Sequence, residues 1–73
     1  MTYIQTQHNF IEVQESFDQV NEKIFSAAKA VSPFIRVKAT HINANEYPEP
    51  KLLLINFKNI ELVDNVDNAD KDN

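Results

Sequence analysis

Ser16-Phe17-Asp18-Gln19-Val20-Asn21-Glu22-Lys23-Ile24-Phe25-Ser26-Ala27-Ala28-Lys29-Ala30-Val31-Ser32-Pro33 is the stretch on which the fold turns, because it writes a helix with both ends marked. Ser16 followed by Gln19 has the spacing of a capping box, in which the hydroxyl accepts from an early backbone N–H and the amide reaches back to the cap. Phe17, Val20, Ile24, Ala27, Ala28 and Val31 recur at i, i+3, i+4 and i+7 and predict one apolar stripe. Pro33 closes it, since the residue before a proline is pushed out of the helical region. The reading is a helix over 17–31. It lays Phe17, Val20, Ile24 and Ala28 on whatever lies beside it.

The flanks alternate with the period of strands. Upstream, 2–6 (TYIQT) and 9–13 (NFIEV) predict a hairpin turned at Gln7-His8-Asn9. Downstream, 34–40 (FIRVKAT) puts Ile35, Val37 and Ala39 on one face and Arg36, Lys38 and Thr40 on the other. Residues 42–50 (INANEYPEP), with two prolines and two asparagines, predict a loop, and 51–57 (KLLLINF) is an apolar run that suits a strand covered on both faces. The fold class is therefore α+β: an antiparallel sheet in the order β-β-α-β-β, with 60–63 (IELV) as an optional fifth short strand, packed on one helix or rolled into an SH3-like barrel. The expected core is Ile4, Phe10, Ile11, Val13, Val20, Ile24, Ile35, Val37, Leu52, Leu54 and Ile60.

Two absences bound the function. The chain has no glycine, where average usage of about 7% would supply about five, so glycine-rich phosphate cradles and dinucleotide fingerprints are excluded. Turns that need φ > 0 then fall to asparagine; Asn59 is the first candidate, with Asn9, Asn43 and Asn45 behind it. There is also no cysteine, so neither disulfides nor thiolate metal sites brace the chain. No apolar run nears the ~20 residues of a membrane span and the N-terminus lacks a signal pattern, which gives the expectation of a soluble cytoplasmic protein with no membrane partner.

With 73 residues, one small domain over 1–63 is expected, marginal in stability unless it self-associates. The run 64–73 (DNVDNADKDN) holds four Asp against one Lys and leaves the rest nearly neutral; it is read as a disordered acidic tail. Leu52, Leu53, Leu54 and Ile55 form an aggregation-prone strand that must lie mid-sheet or at an oligomer interface, with Lys51 and Lys58 as gatekeepers.

Candidate chemistry is thin. His8 and His41 fall at strand ends and read as turn histidines rather than a metal pair with Glu46 or Glu49; Ser16 is explained by capping, and the pairs Glu12/Glu15 and Glu46/Glu49 lack the apolar setting of a catalytic dyad. No catalytic, metal or cofactor site is expected, and the chain is read as no enzyme. Phe34, Arg36, Lys38 and Lys58 form the candidate binding face, a small basic and aromatic platform.

Phe34-Ile35-Arg36-Val37, then Leu53-Leu54-Ile55-Asn56 and Asn59-Ile60-Glu61-Leu62-Val63, resemble the small flagellar-operon proteins called FlbD-like and related short phage and prophage proteins, which read F-I-x-V … L-I-N-x-x-x-I-x-x-V. Phe10-Ile11-Glu12-Val13-Gln14-Glu15-Ser16-Phe17-Asp18-Gln19-Val20 is similar to their closing strand and helix, although here that unit precedes the hairpin instead of following it. The resemblance covers about half the chain. It implies a compact β-rich body in a bacterial or phage setting and carries no catalytic residue over.

The expectation is thus a non-enzymatic interaction protein, phage or mobile-element encoded, that forms a homo-oligomer and occupies a partner protein's surface. Two alternatives accompany it. One is a small barrel that binds nucleic acid through Phe34, Arg36, Lys38 and Lys58; the other is an acidic DNA mimic that blocks a basic host protein.

Overall fold

A computed structural model describes residues 1–66. The elements are β1 (Thr2–Thr6), β2 (Phe10–Val13), α1 (Phe17–Lys29), β3 (Phe34–Ile42), β4 (Asn45–Asn56), a 3₁₀ turn η1 (Phe57–Asn59) and β5 (Ile60–Asn65). All five strands join one antiparallel sheet in the order β4-β3-β2-β1-β5. The α+β reading holds, with the fifth strand present.

The helix begins where its cap dictates. Ser16 Oγ accepts from the Gln19 amide at 3.1 Å and Gln19 Oε1 accepts from the Ser16 amide at 2.9 Å, which closes the capping box. It ends at Lys29, two residues earlier than expected, with Ala30 extended and Val31 fully exposed. Val20 and Ala27 are its buried residues, while Ala28 faces solvent. A stripe of short side chains gains little from a further turn once the sheet no longer lies beneath it.

Consecutive strands β4 and β5 occupy opposite edges of the sheet. In a flat sheet those edges would stand about 19 Å apart. The three residues of η1, at about 2 Å each, span only ~6 Å, so the sheet must curl. The core fills the inside of that curl: Ile4, Ile11, Val13, Val20, Ala27, Ile35, Val37, Ala39 and Ile55, with Ile24, Leu53 and Ile60 packed against it. No ladder joins β4 to β5, so the sheet stays open and the SH3-like barrel is not formed.

Three expected core residues face outward. Phe10 is neighbour to inward Ile11, and successive strand residues point to opposite faces, so Phe10 is 45% exposed and stacks on Tyr3 with ring centroids 4.8 Å apart. The same alternation turns Leu52 and Leu54 out, at 61% and 63% exposed, because Leu53 and Ile55 point in. The apolar run is therefore an edge strand covered on one face, not a central strand covered on both.

The expected loop at 42–50 is mostly strand. Ile42 pairs with Asn45, so Asn43-Ala44 alone makes the turn, and Asn43 is the one non-glycine residue at positive φ (56°) among the described residues. Asn59 has no such role; it lies in η1. Asn43 is held on three sides. Its amide donates to the Phe10 carbonyl at 2.7 Å, its Oδ1 accepts from the Phe10 amide at 2.9 Å, and its Nδ2 donates to Asn9 Oδ1 at 2.9 Å. Pro48 and Pro50 sit inside β4 because β4 is an edge. At the other end β5 runs through Asn65 and Val66 donates to the Met1 carbonyl at 2.8 Å, so the start of the expected tail is ordered; its remainder, 67–73, lies outside the described residues.

Candidate functional site

Backbone direction decides which edges can receive a partner. In an antiparallel ladder a residue aims its N–H and C=O at one neighbouring strand, and the next residue aims at the other. Phe57 donates to the Pro33 carbonyl at 3.0 Å, so odd residues of the β3–β4 ribbon turn their backbone groups toward each other. Gln14 donates to the Lys38 carbonyl at 2.8 Å, so even residues of β3 turn theirs toward β2.

β2 ends at Val13, opposite Ala39, while β3 begins five register positions further out, at Phe34. The ladder therefore runs out. At Lys38 a side chain takes the place of the missing strand: both oxygens of the Glu15 carboxylate accept from the Lys38 amide at 3.1 Å. Beyond it the amide and carbonyl of Arg36 point past the end of β2 toward α1. A groove of about 840 Å³ opens there, floored by Ala27 and Ile35 and walled by Gln19, Glu22, Lys23 and Ser26 of the helix and by Arg36 and Lys38 of the strand.

The sequence-level candidates divide between this groove and the outer face of the sheet. Phe34, Arg36 and Lys38 alternate with buried Ile35, Val37 and Ala39, so their side chains share the outer face, and all three also line the groove. Across the ribbon Arg36 pairs with Leu54 and Lys38 with Leu52, which joins the basic platform and the leucines into one surface. Leu53 and Ile55, offered with them as an interface, belong to the inner face instead. Lys58 lies in η1, beyond the Phe34–Asn56 pair, and stands apart from the strip.

His41 has partners that sequence could not pair. Its Nδ1 lies 3.0 Å from Glu12 Oε1, its register partner on β2, and its Nε2 lies 3.9 Å from Glu46 Oε2. His8 stays in the exposed β1–β2 turn. Among the described residues no group of three or more acidic or histidine side chains could hold a metal ion, and no helix is long and apolar enough to cross a membrane. The groove itself was not visible in the sequence; its signal is the difference in length between a four-residue β2 and a nine-residue β3.

Comparison with known proteins finds no matching family model, no similar curated protein and no similar solved structure.

Proposed function

We propose that this chain is a non-enzymatic interaction protein that binds an extended segment of a partner protein in the groove between α1 and β3. The observation that carries the reading is the interrupted ladder: β3 offers Arg36 backbone groups where β2 has stopped, and α1 walls one side of the space. An extended peptide laid beside Arg36 continues the line of β2 and gains main-chain hydrogen bonds, while Glu22, Lys23, Arg36 and Lys38 select its side chains. The mixture of charges favours a polar peptide over a single-sign polymer. Self-association of the chain belongs to the same reading.

The test is capture of a binding protein from the cells that encode the chain, repeated with Ser26→Trp. Ser26 is exposed and lines the groove, so an indole there fills the space without touching the core. Binding should fall at least tenfold. A captured protein that binds both forms equally excludes the groove. The outer-face cations keep one rival reading specific: binding of single-stranded DNA or RNA at about 50 mM salt, lost on reversing Arg36 and Lys38, would favour nucleic acid instead.

A further inference from the structure

We propose that the cavity between the outer edge of β4 and the β1–β2 turn binds a flat, uncharged cyclic amide, a ring whose N–H and C=O lie side by side. The cavity measures about 410 Å³, within the range of small-molecule sites, and no residue of α1 lines it. Its floor is apolar: Ile11 and Ile55 belong to the core, and half-buried Ile42 and Leu53 pack against it. Such a floor suits the face of a ring.

The strand edge supplies the polar recognition. Odd residues of β4 spend their backbone groups on β3, so the amide and carbonyl of Leu54 turn the other way, to the side on which the cavity lies. Among the described residues neither group has a hydrogen-bond partner. A donor and an acceptor from one extended residue point in the same direction, and a cyclic amide answers both from a single ring. An added strand would answer them too, but the β1–β2 turn stands across the cavity from this edge and leaves an extended chain no straight course beside Leu54. That turn is set in place before anything binds: Thr6 donates to the Asn9 carbonyl at 2.9 Å, the Asn9 amide donates to Thr6 Oγ1 at 3.2 Å, and Asn9 Oδ1 accepts from Asn43 Nδ2 at 2.9 Å. The side chains of Gln7, His8 and Asn59 also line the cavity and make no hydrogen bond among the described residues, so they are available to the rest of the ring's rim. Charge decides the remaining feature of the ligand. Although 25% of the chain's residues are charged, no Asp, Glu, Lys or Arg lines this cavity. A phosphate or carboxylate would enter without a counter-ion, which is costly, so the ligand is neutral.

The cavity lies on the far side of β3 from the α1 groove, so it stands or falls apart from the peptide reading. The probe is carbostyril, a cyclic amide fused to a benzene ring, titrated into the native chain while backbone amide resonances are followed by NMR. The Leu54 amide should shift and approach saturation by about 5 mM. N-Methylcarbostyril keeps the ring but has no donor, which leaves the Leu54 carbonyl unanswered, and it should bind about tenfold more weakly or worse. A ring-carboxylated carbostyril should bind no better than the methylated one. Leu54→Pro, which removes the donor of the edge, should stay folded by circular dichroism and weaken carbostyril about tenfold. Absence of a saturable shift at Leu54, equal binding of the methylated and unmethylated rings, or a folded Leu54→Pro chain that binds as before overturns the site. Shifts confined to Gln19, Glu22, Lys23 and Ser26 would put the ring in the α1 groove and overturn it as well. If Leu54→Pro does not fold, the comparison of the two rings on the native chain decides alone.

Discussion

The two sides of the β3–β4 ribbon present unpaired backbone in opposite settings. On the α1 side the vacancy is short, walled by a helix, lined with Glu22, Lys23, Arg36 and Lys38, and partly closed by the Glu15 carboxylate. On the other side β4 offers a longer edge with leucines on its outer face, and its Leu53–Asn56 end looks across a cavity of about 410 Å³ at Thr6–Asn9 of the β1–β2 turn. The first suits a guest chosen by charge. The second is apolar outside and turns one end toward its own β1–β2 turn. The difference arises from β2, which is too short to finish its ladder, and from β4, with which no further strand pairs among the described residues.

The largest effect expected from breaking this comparison is a proline scan along β4. Leu53→Pro removes an amide that the β3 ladder uses and should cost about 3 kcal/mol or more, enough to unfold a domain of this size. Leu54→Pro removes an amide that the β3 ladder does not use and should leave the chain folded. Urea titration at micromolar concentration checks both, and equal losses would show that the alternation of backbone direction is misassigned.

Truncating side chains should repeat the contrast at smaller scale. Ile55→Ala, in the core, should lose about 2–5 kcal/mol, whereas exposed Leu54→Ala should lose under about 0.5 kcal/mol. Thermal melts of dilute and concentrated samples separate the two. The smallest effect belongs to the α1 side. Glu15→Ala frees the Lys38 amide and should cost about 1 kcal/mol, while lengthening the vacancy by one rung and tightening binding of a peptide in the groove. A loss of peptide affinity would mean that Glu15 contacts the guest directly.

The helix start was legible because Ser16 and Gln19 satisfy each other locally, and β1 and β3 were legible because one face of each is dry. Errors arose wherever the deciding partner was distant in sequence. The prolines at 48 and 50 announce missing donors, but not that those donors would have faced solvent at an edge. Likewise four apolar residues in a row, 52–55, give no parity, so sequence reading puts Leu52 and Leu54 in the core where the structure puts Leu53 and Ile55. Asn43 outranks Asn59 for a reason outside its own loop: its side chain reaches Asn9 and Phe10, more than 30 positions away. The candidate face through Phe34, Arg36 and Lys38 was readable from alternation alone, whereas the groove beside it needed the relative lengths of β2 and β3.

The Met1 ammonium lies 3.1 Å from the Val66 carbonyl, with β1 and β5 side by side between them. The first and last strands thus form an internal seam of the sheet, and the backbone is almost a ring. A short peptide joining Val66 to Met1, with the chain reopened at Asn43-Ala44, would preserve every ladder among the described residues while exchanging which strand is made first. The order in which these five strands are written along the chain is therefore not dictated by their pairing in the sheet.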